Sequence, residues 1–149
     1  MIGFWQGVFN NRAFWITLLA WAIAQGLKIT IGLAQGKKFN FYWILRTGGM
    51  PSAHSAAVAA LAMSVGKETG FSSAYFALAT IFALITMFDA QTWRRSIGVQ
   101  ARVLNRMIDD FQEKGKIEEA RMKELVGHTP IEVFFGALIG LVTPLFFYK

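Results

Sequence analysis

His54 and His128 are the only histidines in the chain, and each stands in a turn marked by Gly and Pro between apolar segments. The first turn reads TGGMPSAHSA, residues 47–56, and the second reads GHTPIE, residues 127–132. Gly48 and Gly49 allow backbone conformations that other residues avoid. Pro51 suits the first turn of a helix, with Thr47 or Ser52 as its cap. Such a start, with Ser52 and Ser55 beside it, can bind an anion through its N–H groups and the helix dipole, or simply begin a helix. In the second turn, Thr129 and Glu132 fit a T-x-x-E capping box with Pro130 at the first helical position. His128 and Glu132 are also four apart, so the carboxylate could orient the imidazole and raise its basicity. The two roles are compatible. Two histidines so placed suit a nucleophile and a general acid. Phosphate is the expected object, because Lys28, Arg46, Arg94 and Arg95 could surround it with positive charge. The three arginines also fit as snorkelling or lipid-headgroup residues. Lys28 and Asp89 lie in apolar runs, where ionisable groups mark function by default. They could pair with each other or with an arginine, and Asp89 sits near enough to the end of its run to be a surface residue.

The elements that must position these groups are apolar. Of 149 residues, 54% are hydrophobic and 16% charged, against about 25% charged in an ordinary soluble domain. Four apolar runs stand out: residues 13–34, 53–66, 73–93 and 131–148. About 20 apolar residues span a bilayer, so the first, third and fourth qualify or nearly do. The second is short and Ala-rich, and is expected to be tilted or buried among the others. Residues 94–125 carry both charge signs, and Ile97, Ala101, Leu104, Ile108 and Phe111 recur at helical spacing. This predicts an amphipathic helix, able to lie along a membrane surface, then a turn near Gly115 and a second short helix. The length predicts one domain, residues 1–149. The fold class expected is all-α: an integral membrane bundle of about four transmembrane or membrane-buried helices plus a cytoplasmic amphipathic segment.

Charge sets the orientation. If all four runs cross, residues 35–52 hold three Lys and Arg and residues 94–130 hold eight, all on one side. The other side holds Arg12, Lys67 and Lys149. The first side is then cytoplasmic, with both termini facing out. Both histidine turns, Asp89 and the Arg94–Arg95 pair come to that face. The formal charge of +6 is read as this asymmetry and as affinity for anionic lipid, with no nucleic-acid partner. The absence of cysteine excludes disulfides and thiolate chemistry. No cleavable signal sequence is expected.

TGGMPSAHSA, the DA of MFDAQTWRR, GVQARVLN and ELVGHTPIEV together resemble the divergent branch of the type 2 phosphatidic acid phosphatase superfamily, over about Gln25 to Gly140. The resemblance implies a metal-independent phosphatase in a helical bundle, without cofactor. It implies that His128 is the nucleophile that becomes phosphorylated, that Glu132 orients it, and that His54 protonates the leaving group. The superfamily binds phosphate with a Lys and two Arg. Here Lys38 and Arg46 stand one residue further apart than in its first motif, and no proline follows Arg46. Met122 takes the place of the third motif's arginine, with Arg121 beside it; Arg94 or Arg95 could substitute. The phosphate-binding set is therefore Lys28, Arg46, Gly49, Ser52, Arg94, Arg95 and Asp89.

The expected substrate is a phospholipid phosphomonoester at the cytoplasmic face of the cell's inner (plasma) membrane, phosphatidylglycerol phosphate and phosphatidate being candidates. Two other classes compete. One is an anionic-lipid binder that kept the fold and lost catalysis. The other is a metal-dependent hydrolase or transporter using His54, Asp89, His128 and Glu132 as ligands. Gly136 and Gly140 form a G-x-x-x-G face through which a homo-oligomer could assemble and complete the site.

Overall fold

The computed structural model describes residues 3–36, 49–114 and 128–148, apart from the side chains of residues 93–96, 110 and 112–114. Among the described residues five helices appear: α1 (Phe4–Asn10), α2 (Arg12–Ala34), α3 (Ala53–Thr69), α4 (Ala74–Lys114) and α5 (Pro130–Leu145). Among the described residues there is no strand. Asn11 breaks α1 from α2 and caps α2, its side chain accepting from Phe14 N. Ser52 caps α3, and Gly70, at φ 87°, ends it.

The short Ala-rich run is the centre of the bundle. α3 packs against α2, α4 and α5, and its Ala53, Ala56, Ala59 and Ala60 are buried. Small side chains let the other helices approach closely. A Cβ at Gly136 of α5 would overlap the Ser52 carbonyl, and one at Gly140 would overlap that of Ala56. The G-x-x-x-G face is thus used inside the chain, on α3, and not for joining a second copy. The same contacts make α3 and α5 parallel. α2 runs the other way, since Arg12 at its start donates to the Phe147 carbonyl beyond the end of α5.

Bulk is distributed opposite to that of a water-soluble core. The largest fully buried side chains are His128, Pro144, Ser52, Ser55 and Ser64, whereas Leu78 is 69% exposed and Phe134 63%. A contiguous shell of large apolar residues around a core of Ala, Gly and Ser is stable only where something apolar covers it.

α2 and α4 are each long and apolar enough to cross a bilayer. At 17 and 16 residues, α3 and α5 are each about 25 Å long, short of the roughly 30 Å hydrocarbon layer. Among the described residues two helices have the length and apolarity of a crossing, against about four transmembrane or membrane-buried helices expected. α4 also differs from expectation. Its 41 residues join the third apolar run and the amphipathic segment in one helix. No Gly-Pro signal separates them, and helical propensity carries through Arg94–Arg95. Within the second half, Gly98, Ala101 and Asn105 are buried, while Ile97, Leu104 and Phe111 are exposed. The turn near Gly115 and the short helix after it lie outside the described residues.

Candidate active site

The site forms where α3 and α5 begin. Its scaffold is local capping chemistry joined across helices. The Ser52 hydroxyl accepts from Ser55 N at 3.3 Å and from the Ser55 hydroxyl at 3.0 Å, fixing the first turn of α3. Ser52 N donates to the Glu132 carbonyl at 2.9 Å, tying that turn to α5. Pro51 therefore precedes the cap and does not occupy the first helical position. The hydroxyl is the stronger determinant, because it satisfies an otherwise open amide.

At α5 the capping box is complete. Glu132 N donates to the Thr129 hydroxyl at 3.3 Å, and Thr129 N donates to Glu132 Oε2 at 3.1 Å. The same Oε2 lies 3.0 Å from His128 Nδ1. One carboxylate thus caps the helix and holds the imidazole, so both sequence roles coexist. His128 is buried, and its backbone N–H donates to the Ala90 carbonyl of α4 at 3.1 Å. That bond fixes the imidazole relative to a third helix. His54, in the first turn of α3, is half-buried. Its ring lies 6.0 Å from that of His128, inclined by 60°.

Lys28 reaches this place from α2. Gly49 turns with φ 90°, and a Cβ there would make ordinary 3.6 Å contact with the Lys28 side chain. The backbone angle, not lack of space, calls for glycine. Lys28 is half-buried and lies within electrostatic reach of the Glu132 carboxylate.

His54, His128, Glu132, Ser52, Gly49 and Lys28 are therefore brought together. Asp89 is not among them: it is exposed on α4 and makes no ion pair with Lys28. A helix whose Ala90 faces the bundle turns the preceding residue about 100° away. Arg94 and Arg95 follow Ala90 by about one turn of α4, but their side chains lie outside the described residues, as do Arg46, Lys38, Arg121 and Met122. Among the described residues no three or more His, Cys, Asp or Glu side chains converge to hold a metal ion. Sequence reasoning missed the Ala90 carbonyl. A backbone acceptor carries no residue-type signal.

A buried imidazole held by a carboxylate at one nitrogen, with a second imidazole beside it, can do nucleophilic and acid–base chemistry. The chain is 43% identical over 140 residues to "uncharacterized membrane protein YuiD" of Bacillus subtilis (strain 168), covering 87% of this chain and 89% of the relative. That relative's name and the two apolar helices point to a membrane protein. No solved structure matches the chain. The model of the divergent PAP2 family matches residues 9–143, which include both histidine turns and all but the last two residues of the helices that position them; the chain belongs to that family.

Proposed function

We propose that this protein is a membrane lipid-phosphate phosphatase working through a phosphohistidine intermediate at the cytoplasmic face. The observation that carries the reading is the buried His128–Glu132 pair, 3.0 Å apart, with the His54 ring 6.0 Å from that of His128. Glu132 at Nδ1 leaves Nε2 as the attacking atom. Nε2 adds to phosphorus in line with the ester oxygen, the P–O bond breaks, and His54 gives its proton to the departing alcohol oxygen. Water then attacks phosphorus, with His54 taking its proton; the P–N bond breaks, its electron pair returns to Nε2, and inorganic phosphate leaves. Near-attack separation is about 3–3.5 Å and proton-transfer reach about 2.6–3.2 Å, together more than rings with centroids 6.0 Å apart leave between them, so the phosphoryl group is proposed to approach both histidines from beside the ring pair. Lys28 neutralises the phosphoryl oxygens from α2, and Arg46, Arg94 and Arg95 are proposed to complete the cationic set. Ser52 has its amide and hydroxyl engaged within the protein, so it serves by holding the turn at Gly49 in place.

The chemistry takes place at headgroup depth. Lys28 stands six residues before the end of α2, about 9 Å along the axis. A phosphate at that depth belongs to a lipid, and phosphatidylglycerol phosphate and phosphatidate are the first substrates to try. The test is phosphate release from a panel of lipid phosphates in detergent with EDTA, for native protein and His128→Ala. Release by native protein alone supports the mechanism. Release only after divalent cations are added would replace it with metal-dependent hydrolysis. Lipid binding without release under either condition would leave the non-catalytic binder, which the divergent family label also allows.

A further inference from the structure

α3 is not enclosed on every side. Val58 and Ala62 pack against Ala79, Ala83 and Met87 of α4. Ala53 and Ala56 pack with Ala24 of α2 and Ile139 of α5. α2 and α4 both pack on α3 and make no extensive contact with each other. Between them runs a stripe of α3 at helical spacing, His54, Ala57, Leu61 and Val65, and all four are only half-buried. Below His54 its floor is apolar.

We propose that this furrow seats an acyl chain of the lipid whose phosphate His54 and His128 act on. The inference rests on the phosphatase reading for its substrate, and on the following for its occupant. The furrow is continuous with the candidate site, because His54 is its first residue. It runs eleven positions from His54 to Val65, about 16 Å, close to the roughly 15 Å depth of one leaflet. Its floor offers a chain hydrophobic contact and offers nothing to a soluble phosphate ester. A lipid would enter sideways from the bilayer, its chain sliding between α2 and α4 while its headgroup stays at the level of Lys28. The furrow is thereby a selector for long-chain substrates, separate from the groups that do the chemistry.

Filling the furrow tests this. Leu61→Trp and, independently, Val65→Trp are compared with native protein on dioleoyl and dihexanoyl phosphatidate in detergent. Each variant should raise KM for the dioleoyl substrate about tenfold, the scale of a pocket misfit of this kind. Turnover of the dihexanoyl substrate should stay within about twofold, which also reports that the variant is folded. Equal losses on both chain lengths, or no loss on either, in both variants would overturn the proposal. If native protein releases phosphate from neither substrate nor from any lipid phosphate of the panel, the phosphatase reading fails, and the furrow is judged by retention of dioleoyl phosphatidate in native mass spectrometry. Retention about tenfold weaker in the Trp variants sustains the furrow; retention equal to native refutes it.

Discussion

Replacing Glu132 by glutamine separates its two duties. Oε2 both accepts from Thr129 N at 3.1 Å and faces His128 Nδ1 at 3.0 Å. Glutamine keeps the length and an acceptor oxygen, so the capping box survives, as its E/Q tolerance allows. The negative charge opposite the imidazole is lost. That charge matters most when His128 becomes cationic during attack. A hydrogen bond to a charged group contributes about 1.5–3 kcal/mol, against about 0.5–1.5 for a neutral pair. The His128 side chain is fully buried and that of Glu132 is 18% exposed, so solvent screens the pair little and the upper part of the range applies. Glutamine still offers a neutral acceptor, so the net loss is the difference, about 1–2 kcal/mol, or roughly 5–30-fold in kcat at about 1.36 kcal/mol per decade. Folding should change by less than about 1 kcal/mol, the usual scale of a cap. The assay is kcat on a lipid phosphate alongside thermal unfolding in the same detergent, with Glu132→Ala as the variant that loses both duties. Native kcat in Glu132→Gln would refute the orienting role. So would a fall in kcat that follows unfolding step for step, because the carboxylate would then act only as a cap.

Three further outcomes are expected. Gly136→Val should destabilise the bundle by about 1–3 kcal/mol through overpacking against the Ser52 carbonyl, read as a lowered unfolding midpoint; an unchanged midpoint would mean that α3 and α5 do not meet there. Lys28→Met should lower kcat/KM on lipid phosphates about 10–100-fold, the loss of one charge-assisted phosphate contact, while the unfolding midpoint stays near native. At the opposite end of the bundle, the Tyr148 phenol is pushed up to about 12, by burial first and then by its hydrogen bond to Glu68. A raised phenol stabilises the fold fully below its unfolded value near 10, and that contribution disappears as pH rises through about 12. Tyr148→Phe should therefore flatten the dependence of stability on pH between those limits; an unaltered slope would show that Tyr148 is not the group responsible.

Much of this protein was legible in its sequence, because it rests on local rules. Hydropathy marked the apolar elements that became α2, α3, α5 and the first half of α4. The Thr129–Glu132 spacing specified a capping box that needs only its own turn to form. The spacing of His128 and Glu132 put a carboxylate within reach of the imidazole for the same reason. The family resemblance, too, was carried by short contiguous motifs.

Other features depended on how helices meet, which residue types do not encode. Whether Gly136 and Gly140 face a second copy or α3 depends on which backbone comes near, and it is the Ser52 and Ala56 carbonyls that do. Asp89 and Lys28 looked like partners along the chain, but Asp89 turns outward on α4. The continuity of α4 through its charged half follows from hydrogen bonds that polarity does not interrupt. Sequence determined what each helix end could do chemically, since capping and side-chain spacing are set within a single turn. Only the tertiary structure decided that His54 and His128, 74 positions apart, face one another, because that distance is fixed by Gly136 against Ser52, by Ser52 N on the Glu132 carbonyl and by His128 N on Ala90.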